Sequence, residues 1–164
     1  MKRLFAIIFA LACVSAAYAQ NDAETLWDSL RQQGQLSMDF TLRGIDTNGV
    51  VVTSEQGVAY LNGDSYRIEC GDMLVCCDGT SMWMYNSESE ELVIDHDAAL
   101  PFMQATNVKR DQTGTIYATY YADDVTFNVK ITNLANPSEP FAQGIFTIDT
   151  SSLSDNVIVT DLRD

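Results

Sequence analysis

The sequence predicts a mainly β protein of the α+β class, in which a curved antiparallel sheet is covered by one N-terminal helix. Three observations support this fold. Short apolar runs recur over residues 57–86 and are separated by turns rich in Gly, Asn and Asp, which is typical of antiparallel strands. Residues 36–42 alternate strictly between apolar and polar side chains, as a half-buried strand does. Residues 21–33 carry apolar side chains at helical spacing instead.

The helix has recognisable start and stop signals. Asn21 is a suitable N-cap, and Glu24 follows three residues later, as in a capping box. Leu26 and Leu30 lie one turn apart on the same face, and Gly34 is placed to end the helix. The apolar face of this helix requires an apolar partner, which the following strands supply.

Nine to eleven strands are predicted. The clearest begins at Leu36 and ends near an Asn48-Gly49 turn, the strongest short hairpin signal. After it, residues 50–53 and 58–61 read as one long or bulged strand. The other predicted strands cover residues 66–70, 73–77, 82–85, 92–94, 116–121, 125–131, 141–148 and 157–159. A helical turn is predicted over residues 98–105, and loops are predicted over residues 106–113 and 133–140.

The first residues predict a secretory signal peptide over residues 1–19. Lys2 and Arg3 precede an apolar run that is shorter than the ~20 residues needed to span a bilayer, and an Ala-Tyr-Ala cleavage sequence follows. The mature chain is therefore predicted to be one domain over residues 20–164, in an exported protein. Lipid attachment at Cys13 is the less favoured alternative, because Ala10 stands where a branched apolar residue is preferred.

The mature chain is strongly acidic. Without Lys2 and Arg3, seven of the nine basic residues remain against 23 acidic residues, which gives a formal charge of −16. This charge repels nucleic acid and anionic membrane surfaces, so no nucleic-acid partner is predicted. The charge either keeps the protein soluble, which is the favoured interpretation, or attracts a basic partner. A monomer is expected.

The cysteines are predicted to be small buried hydrophobes rather than a structural disulfide. Cys70, Cys76 and Cys77 follow the signal peptide, and an odd number leaves at least one thiol unpaired. If Gly71-Asp72 is a two-residue turn, Cys70 faces Met73, and Cys76 lies ~10 Å further along, too far for a bridge. Cys76 and Cys77 are adjacent on a strand and are expected to point to opposite faces.

Neither catalysis nor a cofactor is predicted. His96 is the only histidine, and no recognisable nucleophile motif accompanies it. A small hydrolase that uses His96 or a pair of carboxylates is the least favoured function. No zinc, calcium or phosphate-binding spacing is present in the sequence, so no metal and no cofactor are expected.

Residues 57–86 contain Gly57, Tyr60-Leu61, Tyr66-Arg67-Ile68 and an Asp-Gly-x-x-x-Trp-x-Tyr-Asn sequence that begins at Asp78. In this order they resemble the periplasmic lipoprotein carriers of the LolA type, and in particular the LolA-like proteins of Bacteroidetes. A strand containing Leu36, Met38 and Phe40, a Pro-Phe-Met sequence at Pro101, and a Val-x-Asp-Leu-Arg ending also fit. The matching residues of the middle segment are Gly57, Tyr60, Leu61, Tyr66, Arg67, Ile68, Asp78, Gly79, Trp83, Tyr85 and Asn86.

The resemblance implies an incomplete β-barrel and a periplasmic carrier or chaperone that holds the acyl chains of lipoproteins between the sheet and its covering helices. It also implies an inner-membrane releasing complex and an outer-membrane receptor as partners. The apolar pattern alone favours an ordinary core over a cavity. The residues predicted to line the cavity are Leu26, Leu30, Leu36, Met38, Phe40, Leu42, Tyr60, Ile68, Trp83, Phe102 and Met103.

This chain departs from the carriers in two places. The carriers have a basic residue and a proline after the strand that ends here at Leu61, and their arginine locks the lid. Asn62-Gly63-Asp64 stands there instead, and the region after Phe102 is shorter. The alternative function is therefore a non-catalytic envelope module of the same fold that binds another ligand or a protein.

Overall fold

The computed structural model describes residues 20–96, 105, 107–122 and 124–163. The predicted signal peptide, and all but Ala105 of the helical turn predicted over residues 98–105, lie outside these ranges. The described elements are α1 (Gln20–Arg31), β1 (Gln35–Asp46), β2 (Val51–Asn62), β3 (Ser65–Cys70), β4 (Met73–Cys77), β5 (Met82–Asn86), β6 (Glu91–Asp95), β7 (Asn107–Arg110), β8 (Ile116–Ala122), β9 (Val125–Ala135), a 3-10 helix (Thr150–Ser152) and β10 (Ile158–Asp161).

The ten strands form one sheet in the order β10-β6-β5-β4-β3-β2-β1-β9-β8-β7. All neighbouring pairs are antiparallel except β10 and β6, which are parallel. The sheet is open, because β10 and β7 are its two edges and do not pair with each other in the described structure. The predicted antiparallel sheet with one helix is therefore confirmed, and the described strands do not close into a barrel.

Two predicted segments are wrong. Residues 141–148 form turns rather than a strand, with Gly144 at φ 81° and the amide of Ile145 donating to the Ala142 carbonyl. Their apolar side chains pack on the face of the sheet and do not extend it. The loop predicted over residues 106–113 contains edge strand β7. This strand resembles a loop in sequence because its side chains are polar except that of Val108, which packs against the core.

The two faces of the sheet bury different sets of residues. Helix α1 lies on the inner face of the sheet. This face carries one apolar cluster, to which Leu30, Ala105 and seven adjacent strands contribute; in spatial order the strands are β5, β4, β3, β2, β1, β9 and β8. Each strand is rotated relative to its neighbours, so a sheet of this width twists and curls rather than lying flat. The outer face carries a smaller cluster around Cys76, Trp83, Leu92 and Ile94. Within the described residues, no helix is long and apolar enough to cross a bilayer.

The curvature is accompanied by a close contact between Phe40 and Gly57. These residues face each other across β1 and β2, and the Phe40 ring lies over the Gly57 backbone. A Cβ atom at Gly57 would overlap both this ring and the carbonyl oxygen of Glu69 on β3. Only glycine therefore allows the 5% exposed Phe40 side chain to pack flat against the sheet.

Gly57→Ala is expected to lower the free energy of unfolding by about 1–3 kcal/mol, because the added methyl group forces the Phe40 ring and the β3 backbone apart. Urea unfolding followed by tryptophan fluorescence would measure the change. Ser54→Ala, at an exposed position of the same strand, is the control and should change stability by less than about 0.5 kcal/mol. Equal stability of the two variants would show that Gly57 is not required by the packing.

Candidate ligand-binding face

The centre of the inner face is a row of apolar side chains along β1. Leu36, Met38 and Phe40 are buried, with exposed fractions of 0%, 4% and 5%. Leu42 continues the row and is half-buried. The row forms because successive side chains of a strand alternate between faces, so every second residue from Leu36 points to the same side.

Helix α1 covers one part of this row. Leu30 is 3% exposed within the inner cluster, and Leu26 packs against the cluster from the preceding turn. Gly34, at φ 79°, ends the helix and turns the chain into β1. A glycine at this point also gives the helix a short connection to the sheet with few steric restrictions.

Two polar contacts hold the C-terminal end of the helix. Arg31 Nη1 lies 3.0 Å from Asp64 Oδ1 in the β2–β3 turn, and the two side chains are 34% and 72% exposed. The Asn136 side-chain amide donates to the Gln33 carbonyl oxygen at 3.2 Å. The residue that ties the β2–β3 turn to the helix is therefore an aspartate, paired with a cation on the helix. This arrangement was missed because a sequence does not show that position 31 faces position 64.

The structure brings together seven of the predicted cavity residues. Leu30, Leu36, Met38, Phe40 and Ile68 are buried members of the inner cluster, and Leu26 and Leu42 pack against it.

Two predicted residues are on the wrong face. Tyr60 follows Ala59, which faces the inner cluster, so the Tyr60 side chain points outward and its ring contacts Phe141. Trp83 pairs with Cys76 in the outer cluster. The error arose because β2 and β5 carry large apolar residues on both faces, which removes the alternation that would identify the inward side. Phe102 and Met103 lie outside the described residues.

Strands β8 and β9 contribute residues that were not predicted to belong to this face. Val129 and Ile131 of β9 lie directly opposite Leu42 and Phe40, and Ile116 and Ala118 of β8 continue the rows. Phe127 is fully buried, with its ring stacked on Tyr120 at 5.1 Å between ring centroids. The alternation of residues 125–131 identified a strand, but it could not show that this strand pairs with β1.

The inner face is rich in sulfur. Met38 and Met84 are buried in it, Met82 packs against it, and the Tyr66 hydroxyl donates to Met82 Sδ at 3.3 Å. Cys77 is fully buried on the same face. Methionine side chains are flexible and polarisable, so a surface made of them can adapt its shape to an apolar partner.

Two titratable side chains of the inner face, Cys70 and Tyr120, remain neutral. Burial, with a smaller contribution from Glu55, raises the pKa of the Cys70 thiol to about 11. Burial also raises the pKa of the Tyr120 hydroxyl well above its ordinary value, with a smaller contribution from Cys70. Both groups are therefore protonated at neutral pH, and neither adds charge to the inner face.

The outer face of β2 to β6 is covered by the segment that follows β9. Phe141 contacts both Tyr60 and Phe146 edge to face, at 5.7 Å between ring centroids in each case. Arg67 Nη1 donates to the Ile145 carbonyl oxygen at 3.3 Å, and its Nε lies 2.6 Å from Glu69 Oε1. Arg67 is thus an outer-face residue that fastens the C-terminal segment.

The three described cysteines are free thiols, as expected. Cys70 lies opposite Met73, and Cys76 and Cys77 belong to the outer and inner clusters respectively. Burial raises the pKa of Cys76 to about 11, although the neighbouring Arg67 guanidinium acts in the opposite direction.

The environment of His96 is that of a surface residue. The side chain is exposed, and Nε2 lies 2.8 Å from the Arg163 carbonyl oxygen. The His96 amide donates to Asp95 Oδ1. In the described part of the chain, no three His, Cys, Asp or Glu side chains are grouped so as to hold a metal ion.

The chain is similar in sequence to known lipoprotein carriers. Outer-membrane lipoprotein carrier proteins from Shewanella baltica strains OS155, OS185 and OS195 are each 30% identical to it in an alignment 132 residues long that covers 77% of this chain. The chain spans 59% of the length of these relatives. The chain is therefore similar to part of the outer-membrane lipoprotein carriers, and its narrower likeness to Bacteroidetes proteins stays a prediction. No protein-family model matches the chain.

The fold also resembles a solved structure. The crystal structure of an uncharacterized conserved protein from Thermus thermophilus aligns with a TM-score of 0.50, over 85% of this chain and 99% of that chain. The two sequences are 12% identical, so this likeness bears on the fold alone.

The thiols are expected to react slowly in the folded protein. At pH 8 a thiol with a pKa of about 11 is ~0.1% ionised, and the thiolate is the reactive form. Ellman's reagent added to the chain from residue 20 should titrate three thiols rapidly in urea and very slowly without it. In the native state Cys70, which is only half-buried, should react first. Rapid native reaction of Cys76 or Cys77 would mean that the sheet opens locally.

Proposed function

We propose that this protein is a non-catalytic periplasmic carrier that binds the acyl chains of lipoproteins on the inner face of its sheet. The observation that supports this proposal most directly is the homology to outer-membrane lipoprotein carriers over 77% of the chain. The apolar, methionine-rich inner face under helix α1 provides the chemistry that such a cargo needs.

Acyl binding is driven by the removal of methylene groups from water. Each buried methylene contributes ~0.8 kcal/mol, so a chain of about 14 methylenes gains ~11 kcal/mol before any costs. The main cost arises because the inner face is already buried, with Leu30 of α1 and Leu36 of β1 only 3% and 0% exposed. Cargo must therefore displace α1, and the net affinity is the difference between these two large terms.

Helix α1 is suited to act as this displaceable cover. Its C-terminal end is held by the Arg31–Asp64 pair, which is a weak contact because the Asp64 side chain is 72% exposed to solvent. Gly34 provides the connection about which the helix can move. In this proposal Arg31 and Asp64 take the place of the lid lock of the carriers, with the positive charge on the helix.

Release requires that the acyl chains pass to a surface that binds them better. A releasing complex in the inner membrane and a receptor in the outer membrane are the partners that such a transfer implies. The alternative, a non-catalytic envelope module that binds another ligand or a protein, would use the same inner face as a permanent core.

The direct test is native mass spectrometry of the chain from residue 20, purified from a bacterial periplasm without detergent. Co-purifying acyl-chain species that are displaced by a fluorescent fatty acid would support the carrier. A clean apo mass and no binding of a synthetic triacylated lipopeptide would overturn it and leave the protein-binding module.

Leu42→Glu is expected to weaken lipopeptide binding at least about tenfold, because it places a carboxylate on the acyl-binding face, where burying an unpaired charge is costly. Leu42 is half-buried, so the variant should still fold. Fluorescence displacement by the lipopeptide would measure binding, and circular dichroism would check the fold.

Thr41→Glu is the matched control for Leu42→Glu. It adds the same charge to the same strand at an exposed position one residue away, where the side chain points to the outer face. Its lipopeptide affinity should stay within about twofold of the wild type. Equal loss in both variants would show that the inner face is not the acyl-binding surface.

Asp64→Asn is expected to speed lipopeptide dissociation by up to about fivefold, with a loss of stability below about 1 kcal/mol, because it removes a weak tie on the cover rather than a core contact. Stopped-flow displacement would measure the rate. Asp124→Asn removes an exposed carboxylate from the β8–β9 turn and should leave the rate unchanged. Unchanged kinetics in Asp64→Asn would show that the pair does not hold the cover.

A further inference from the structure

The basic residues of this acidic protein are unevenly distributed. Of the seven that follow residue 19, Arg31, Arg67 and Arg163 form the three ion pairs found among the described residues. The four that form no such pair are Arg43, Lys109, Arg110 and Lys130. All four lie on β1, β7 and β9, at one end of the strand order.

Three of these cations share one uncovered area of the outer face. Lys109 lies directly opposite Tyr117, Tyr117 lies opposite Lys130, and Lys130 lies opposite Thr41. Arg43 is two residues further along β1 than Thr41, on the same face, and pairs with Asn128. All of these side chains are exposed, and the Tyr117 side chain is 43% exposed. We call Arg43, Lys109, Tyr117 and Lys130 the basic row.

The area around the basic row differs from the rest of the outer face in its cover and in its charge. From β2 to β6 it is covered by residues 141–157, as the contacts of Phe141 and Ile145 show. The basic row lies beyond this cover. On the outer side of β8 and β9 no acidic residue stands between Tyr117 and Tyr121 or between residues 126 and 132. On β1, Asp39 is present and accepts a hydrogen bond from Asn133 at 2.6 Å.

We propose that the basic row is a docking site for an acidic segment of a partner protein. Lys and Arg side chains attract carboxylates, and exposed Tyr and Arg side chains are enriched where protein interfaces gain most of their affinity. The Thr41 hydroxyl and the side-chain amide of Asn128, whose oxygen accepts from the Thr119 hydroxyl at 3.2 Å, lie beside the cations and give a peptide partner directional hydrogen-bonding groups.

The shape of the charge pattern favours a narrow partner over an anionic bilayer. The row from Lys109 to Thr41 runs across four strands, ~14 Å, which matches a few residues of extended chain. Carboxylates flank it at both ends of the strands: Asp111 lies at one end, where it accepts a hydrogen bond from the Tyr117 hydroxyl at 3.5 Å, and Asp46 and Asp124 lie at the other. The Thr113 side chain donates a hydrogen bond to Asp111, and the Val50 amide donates one to Asp46. These bonds lower the pKa of the two carboxyl groups, which are therefore ionised at neutral pH. An extended anionic plane would meet these charges, whereas a segment that crosses the strands avoids them.

The test is an NMR titration of the isotope-labelled chain from residue 20, without lipid cargo, with an oligoglutamate peptide at low salt. Chemical-shift changes should concentrate at residues 41–43, 107–119 and 126–132, and they should weaken as added salt screens the charges. Lys130→Glu should weaken binding about tenfold. Arg110→Glu is the matched control, because it makes the same charge change on β7 opposite the inward-facing Ile116 and should leave the affinity within about twofold.

Two outcomes would overturn the proposal. The first is shift changes that are absent, scattered, or equally reduced by both variants, since this would show that the basic row is not a distinct site. The second is that the protein does not bind the peptide but floats with vesicles of phosphatidylglycerol and phosphatidylethanolamine, and that Lys130→Glu abolishes this flotation. This result would identify a membrane-docking surface instead. Neither outcome bears on lipopeptide binding by the inner face, so this proposal and the carrier function can fail separately.

Discussion

The central position of β1 is the constraint on which the rest of the structure depends. This strand pairs with β2 along one edge and with β9 along the other, although β9 begins almost eighty residues later. The pairing places Phe40 between Gly57 on one side and Ile131 on the other, and it continues the apolar row of β1 into both halves of the sheet. Without it the β2–β6 meander and the β7–β9 meander would have no common face for α1 to cover.

The curvature of the sheet creates the conflict that a carrier of this kind must resolve. A curved sheet concentrates apolar side chains on its inner face, which stabilises the fold when a helix covers them. The same side chains are the acyl-binding surface in the proposed function, and in that function helix α1 and the cargo would compete for that surface. The weak Arg31–Asp64 pair and the methionines reduce the cost of exchange, because neither requires a fixed, tightly interlocked contact.

The sequence predicted local structure better than it predicted faces and neighbours. Strict alternation located the inward side of β1 correctly, because its intervening residues are polar. In β2 and β5 that signal is missing, and Tyr60 and Trp83 were placed on the wrong side. The contributions of β8 and β9 to the inner face were not predicted, since strand pairing across a long sequence separation leaves no local pattern. The turn segment over residues 141–148 looks like a strand because it is apolar, but its side chains cover the sheet instead.

The two halves of the outer face suggest how this sheet separates its tasks. The half formed by β2 to β6 is apolar and is covered by the chain's own C-terminal segment, held by Arg67 and by the rings of Phe141 and Phe146. The other half is polar enough to face water without a cover. It holds cations that are in none of the described ion pairs, whereas the basic residues described elsewhere in the molecule are paired with carboxylates. An isolated cationic area is electrostatically stabilised by the surrounding negative charge, so it costs the fold little. It also distinguishes one face of an otherwise acidic surface, and under the two proposals together it would present a fixed orientation to a partner while the inner face holds the cargo.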